Sequence, residues 1–198
     1  MDTRERILEV AKRLFAKHGY FSTTLDEIAS QVGITKPAIY YYFDNKRELY
    51  NRLFETYFTG FQLELTGEWE RDLKLYIQRV VERFKDRELA KLFEMELSSG
   101  MVNLEERVIN QIAKFMDILA QILEGTEVNP FFVQTLIISS TVTYFNTLEL
   151  REKVAQMSNI QDTQFDLYQE LVNTIIPYIK NYGFGRRGGD NSHQKSGE

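Results

Sequence analysis

Apolar residues in this 198-residue chain recur at three- and four-residue spacing from end to end, and that spacing dictates helices. Ile7, Leu8, Ala11, Leu14 and Phe15 open the series, and Leu25, Ile28, Ala29 and Val32 continue it. Leu49, Tyr50, Leu53, Phe54, Tyr57, Phe58 and Phe61 form a wide aromatic stripe from Lys46 onward. Trp69, Leu73, Tyr76, Ile77, Val80, Val81 and Phe84 follow, then a shorter segment from about Glu88 to Leu97. Leu104, Val108, Ile112, Phe115, Met116, Leu119 and Leu123 predict another helix, and an uncharged one runs from Phe131 to Leu148. The last is expected from about Asp162 to Tyr182, kinked near its end by Pro177. Strand patterns are absent, and 3 prolines with 11 glycines are too few turn formers for a many-stranded sandwich or barrel. The fold class is therefore all-α. Residues 183–198, rich in glycine and polar side chains, are expected to be a disordered tail.

Capping signals divide the first fifty residues finely. Asp2 or Thr3 can cap the first helix, and Gly19 stands where it would stop. Thr24 and Glu27 have the spacing of a capping box at the start of a short second helix, which Gly33 breaks. A third short helix begins near Thr35, Lys36 or Pro37, because proline suits a first helical turn. Asp44-Asn45 ends it, and Asn45 with Glu48 can cap the next.

Whole classes of chemistry drop out. With 0 cysteines there is no disulfide scaffold, thiolate metal site or cysteine nucleophile. The 2 histidines, His18 and His193, are far apart, so no metal site and no cofactor are expected. No dinucleotide-binding glycine motif, P-loop or nucleophile elbow occurs, and no glutamate pairs with a histidine on one helical face, so an enzyme is not expected. Val128 to Leu148 carries no charge, yet Asn129, Gln134, Thr135, Ser139, Ser140, Thr141, Thr143, Asn146 and Thr147 argue against a membrane span and for a helix buried in protein. The mixed-charge start at Met1 has no apolar leader core, and a cytoplasmic location is expected. Net charge is −5, but residues 1–50 hold 8 basic and 7 acidic groups, so the acidity lies in the remainder. A locally positive end is compatible with nucleic acid, because phosphate contacts depend on local potential.

Residues 19–49 carry the most information. Two short helices joined by a glycine turn and packed on a preceding helix make a helix-turn-helix, at about 24–43, whose second helix enters the DNA major groove. That helix offers a cation at Lys36, small apolar surfaces at Pro37 and Ala38, and hydroxyl-bearing rings at Tyr40 and Tyr41. Ile39 and Phe43 would hold it inward, and Lys46 and Arg47 at the next helix start supply charge and free N–H groups for a phosphate. By itself a short helix–glycine–helix unit is common in all-α proteins, and three successive tyrosines also serve packing.

The same segment resembles the DNA-binding domain of the TetR family of bacterial transcriptional regulators. It has the Gly19-Tyr20 step, Thr23-Thr24, the Asp26-Glu27-Ile28-Ala29 helix, the Gly33-Ile34-Thr35 turn, then Ile39-Tyr40-Tyr41-Tyr42-Phe43 and Asn45-Lys46 with Leu49. One departure is Tyr42, where many members have histidine; a phenol also donates to phosphate. The resemblance implies that Thr35, Lys36, Pro37, Ala38, Tyr40 and Tyr41 face the operator, and that Thr24, Tyr42 and Lys46 hold phosphates. Base contacts would come from Lys36, a donor to guanine, and from Pro37, Ala38 and Tyr41 against thymine methyls.

The division expected is a DNA-binding domain at 1–49 and a larger helical effector-binding and dimerisation domain at 50–182. Members resemble symmetric dimers on a palindromic operator, joined through their last two helices. The uncharged helix gives an independent reason, since it is apolar all round and one domain core covers one face. Phe132, Leu136, Ser139, Ser140, Thr143, Leu171 and Ile175 are the candidate interface; a central helix in a monomer core is the alternative. Tyr57, Phe61, Trp69, Tyr76, Phe93, Phe115 and Tyr144 are candidate walls of a pocket for a small apolar or aromatic effector, although such aromatics also simply pack a core. Glu94 or Glu96 could pair with a cationic effector. The expected function is a DNA-binding regulator, a repressor released by its effector, with corepressor logic equally allowed; the alternative is a DNA-binding dimer controlled by a protein partner.

Overall fold

The first helix is set by its cap. Asp2 Oδ1 accepts the Glu5 amide at 2.8 Å while Glu5 Oε2 accepts the Asp2 amide at 2.9 Å, a reciprocal box that satisfies two otherwise orphaned donors. The computed structural model describes residues 2–59, 61–159 and 164–184. Among these residues there are ten α-helices and no strand: α1 (Thr3–Ser22), α2 (Leu25–Val32), α3 (Lys36–Tyr40), α4 (Lys46–Phe58), α5 (Trp69–Arg83), α6 (Arg87–Ser99), α7 (Glu106–Ile122), α8 (Pro130–Asn146), α9 (Leu148–Met157) and α10 (Leu167–Tyr182). No helix of the described residues is long and apolar enough to cross a membrane.

α1 lies at the join of the two halves. One side packs on α2 and α4, and another packs on α6. Its apolar residues Ile7, Ala11 and Phe15 are fully buried. α4 runs without a break across the boundary expected at residue 49. α8 is the hub of the second half, touching α5, α6, α7, α9 and α10. A polar lattice staples α4 to the α6–α7 connection. The Tyr50 hydroxyl donates to Glu96 Oε1 at 2.7 Å, Asn103 Nδ2 donates to the same oxygen at 2.9 Å, and Asn51 Oδ1 accepts the Glu105 amide at 2.7 Å. Such buried groups fix one arrangement, since each would cost more unpaired than it contributes paired.

Several expectations shift at the edges of elements. The aromatic stripe beginning at Lys46 is not one helix: α4 ends at Phe58, and Phe61 lies in the irregular segment before α5. The last helix begins at Leu167, capped by Asp166 accepting the Gln169 amide, rather than near Asp162; residues 160–163 lie outside the described set. It continues through Pro177 to Tyr182. α9 follows α8 with no counterpart in the expected helix series. The start of the expected tail is packed. The Gly183 carbonyl accepts the Glu127 amide at 2.7 Å, and the Phe184 ring lies 5.8 Å from Trp69. A side chain at Gly183 would put its Cβ 2.6 Å from the Ile179 carbonyl oxygen, so this close approach requires glycine. Residues 185–198 of that tail lie outside the described residues.

Candidate nucleic-acid interface

Local chemistry builds the helix-turn-helix almost unaided. Thr24 Oγ1 accepts the Glu27 amide at 3.2 Å and caps α2. Gly33 ends it in the left-handed region, φ 79° and ψ 35°, with its N–H on the Ala29 and Ser30 carbonyls. A Cβ is disfavoured in that conformation, and the turn it makes sets the angle between α2 and α3. α3 starts at Lys36 with Thr35 as its cap residue, although the Thr35 side chain makes no capping bond. Ile39 and Phe43 are buried on the inner side, each contributing about 1.5–3 kcal/mol of apolar burial. Asn45 Oδ1 then accepts the Glu48 amide at 2.9 Å and opens α4.

The opposite side of α3 is bare. Tyr41 is 85% exposed and Tyr40 48%, Thr35 and Pro37 are exposed, and Lys36 and Ala38 are half-buried. Tyr42 is half-buried, its ring 5.2 Å from that of Tyr41. Lys36 is not free: its ammonium pairs with Asp26 of α2 at 2.8 Å, and that hydrogen bond raises its pKa. The Lys46 side chain, expected on a phosphate, is turned inward instead. Its ammonium donates to the Tyr20 carbonyl at 2.8 Å and the Thr23 carbonyl at 3.0 Å, and sits 4.5 Å above the Tyr20 ring. Burial lowers its pKa. It thus caps the carbonyl end of α1, where a cation is favourable.

A second cation ties this unit to the rest of the molecule. Lys12 of α1 bonds Asp86 at 2.9 Å, and Asp86 is also the N-cap of α6 through the Glu88 and Leu89 amides at 3.1 Å. The Tyr57 hydroxyl of α4 donates to the same carboxylate at 2.6 Å. Burial alone would raise the Asp86 carboxyl, but the Tyr57 hydroxyl and the Lys12 ammonium outweigh it and hold the pKa below the usual range. Burial alone would lower the Lys12 pKa; the bonds to Asp86 and Tyr57 raise it instead.

Tyr57 also faces a cavity of about 330 Å³ lined by α4, α5, α6, α7 and α8. That size is at the lower end of small-molecule sites. Of the aromatics expected around an effector, Tyr57, Phe93 and Phe115 line it. Phe61 lies behind the wall, its ring 3.9 Å from that of Phe115. Tyr76 is fully buried and donates to Gln134 Oε1 at 2.8 Å. Trp69 packs on Phe184, away from the cavity. Tyr144 lies in a separate groove between α8 and α10. Glu94 accepts the Asn146 amide at 2.8 Å and Glu96 belongs to the Tyr50 lattice, so neither lines the cavity. Arg83, Met101, Met116 and Gln134 do line it, and spacing alone did not single them out, since they come from three helices and the α6–α7 connection, which meet only in the fold. The α8–α10 groove gathers Leu136, Ser139, Ser140, Thr143, Leu171 and Ile175 of the expected interface. Phe132 stands beside it, 5.4 Å from Tyr178.

The chain thus carries a helix-turn-helix with a bare second helix, followed by a helical body that holds a cavity. A family profile described as bacterial regulatory proteins, tetR family, matches residues 7–53, so this N-terminal segment is similar to that family's DNA-binding part. The HTH-type transcriptional regulator AcrR of Shigella flexneri is 46% identical over 54 residues, covering 27% of this chain and 25% of that one. IcaR of Staphylococcus epidermidis, the negative transcriptional regulator of the biofilm operon icaADBC, is 41% identical over 58 residues, 29% of this chain and 31% of that one. The chain thus spans a quarter to a third of the length of these relatives. Among solved structures, the putative transcriptional regulator SCO4942 of Streptomyces coelicolor has a TM-score of 0.64 at 26% identity, covering 89% of this chain and 98% of that one. AibR, solved with isovaleryl coenzyme A and operator DNA, has a TM-score of 0.63 at 17% identity over 89% and 97%, a likeness of fold.

Proposed function

We propose that this protein is a transcriptional repressor that binds a palindromic operator as a homodimer and leaves it when a small apolar or aromatic molecule fills the cavity. The observation that carries the reading is the two-sidedness of α3. Ile39 and Phe43 are buried, while Tyr40 and Tyr41 present large rings that the chain itself does not cover. Pro37, Ala38, Tyr40 and Tyr41 form a surface for thymine methyls and base edges, with Thr35 beside them and Lys36 able to exchange Asp26 for a guanine. Thr24 and Tyr42, together with the Lys46 backbone N–H at the start of α4, would hold phosphates. Dimerisation through α8 and α10 is supported by the groove between them, which holds Ser139, Ser140 and Thr143, and by Phe132 at 45% exposure on α8.

The small-molecule reading is favoured over a protein partner by the cavity itself, because a regulator controlled only from outside needs no such space. Ligand binding would favour a conformer in which the two α3 helices no longer match successive major grooves. Fluorescence anisotropy against the chain's own upstream region, at fixed salt and with a panel of small molecules, tests the proposal. Sequence-selective binding that Tyr41→Ala abolishes and one compound reverses is the expected result. Equal affinity for operator and random DNA across genome-selected fragments would overturn it.

A further inference from the structure

The cavity is lined mainly by apolar side chains, and one cation stands among them. Arg83 is the one charged residue among its lining side chains, and no aspartate or glutamate lines it. The other polar groups are largely committed. The Tyr57 hydroxyl serves Asp86 at 2.6 Å, Thr135 Oγ1 donates to the Phe131 carbonyl at 2.7 Å, and Gln134 Oε1 accepts from Tyr76 at 2.8 Å, which leaves the Gln134 amide N–H groups free to donate. Among the described residues no carboxylate pairs with Arg83. Its guanidinium makes only a long contact of 3.4 Å to the Thr59 carbonyl and a ring contact at 5.6 Å to Phe61. Burial and the neighbouring Arg79 both lower its pKa, the signature of a cation short of counter-charge. A half-buried guanidinium with most of its five donors unspent is a ready partner for a planar anion.

We infer that the effector is an amphiphilic carboxylate, whose anionic head bonds Arg83 and whose aliphatic or aryl tail lies among Phe58, Phe84, Phe93 and Phe115. This rests on the effector-cavity reading and narrows it. A cationic effector would meet Arg83 with no compensating acid. A neutral one would leave Arg83 unpaired and lose water around it. The volume of about 330 Å³ is enough for a medium-length chain or a single substituted ring.

The test is isothermal titration calorimetry on the full chain with matched probes below their micelle concentrations. Octanoate, decanoate and 4-phenylbutyrate are each compared with the alcohol and the trimethylammonium of the same tail. The carboxylates are expected to bind about 10-fold or more tightly than the alcohols, with the ammonium compounds weakest. Arg83→Met, which keeps the apolar stem, is expected to bring each carboxylate down to its alcohol while leaving alcohol affinity within about twofold. Arg83→Lys, the second variant, is expected to restore part of the preference. Alcohols or ammonium compounds binding as well as carboxylates, or a preference that survives Arg83→Met, would overturn the carboxylate assignment alone. Saturable binding of none of the probes would overturn the cavity reading beneath it.

Discussion

Lys36 and Lys46 are ten residues apart and were expected to divide the DNA between them, one reading bases and one holding phosphate. The structure gives them different electrostatic surroundings. Lys36 faces outward with Asp26 as an exchangeable partner, so Lys36→Ala is expected to weaken operator binding and broaden sequence preference, read by anisotropy against operator variants. Lys46 spends its donors on the Tyr20 and Thr23 carbonyls. Lys46→Ala is therefore expected to lower unfolding free energy by about 1–2 kcal/mol, because it strips charged hydrogen bonds from half-buried carbonyls. Unchanged stability together with a flatter salt dependence of binding would instead assign that side chain to phosphate. Thr24→Ala removes the α2 cap and is expected to cost about 1 kcal/mol, checked by denaturant unfolding. None of the lysine geometry is local in sequence: Lys46 and Tyr20 are separated by 26 positions, so spacing could name the residue types but not their partners.

Among the elements, those with their own start and stop signals were legible. α1, α2 and α4 are announced by Asp2, Thr24 and Asn45, and each of those side chains does make its capping bond. α9 was missed because it lacks both signals. Thr147 makes no side-chain cap, and none of its residues is buried, so Leu150, Val154 and Met157 give no inward stripe against this chain. The cavity was half legible: aromatic spacing pointed to Tyr57, Phe93 and Phe115, but nothing local distinguished them from Phe61 or Tyr76, which ended up behind the wall. At the junction of α1, α4 and α6, Asp86→Asn is expected to cost about 1–3 kcal/mol, since it leaves Lys12 without its nearest carboxylate. The acid limb follows from the direction of the shift. A carboxyl held below its unfolded value of about 3.9 contributes stability above that pH and loses it as pH falls through the folded value. Wild type should therefore lose more stability than Asp86→Asn between about pH 5 and pH 2, as measured by thermal unfolding at each pH.

For the whole molecule the decisive quantities are symmetry and charge. A dimer would cover the α8–α10 groove, so Thr143→Glu, which sets a carboxylate on its exposed rim, is expected to shift sedimentation from dimer to monomer at micromolar concentration. The same variant should lose operator affinity far more than affinity for a single half-site. The net charge of −5 lies outside the first fifty residues, so approach to DNA should depend on orientation. The Lys12–Asp86–Tyr57 junction bears on how such a chain can be recombined. A chimera that grafts residues 1–49 onto another regulator's body carries Lys12 away from both Asp86 and Tyr57, which belong to the body it leaves behind. Interchangeable halves therefore need a matching socket: an acidic residue at the start of the sixth helix and a phenol near the end of the fourth. A hybrid lacking them would leave Lys12 without its carboxylate and without the phenol that shares it, and its two halves would be less firmly joined.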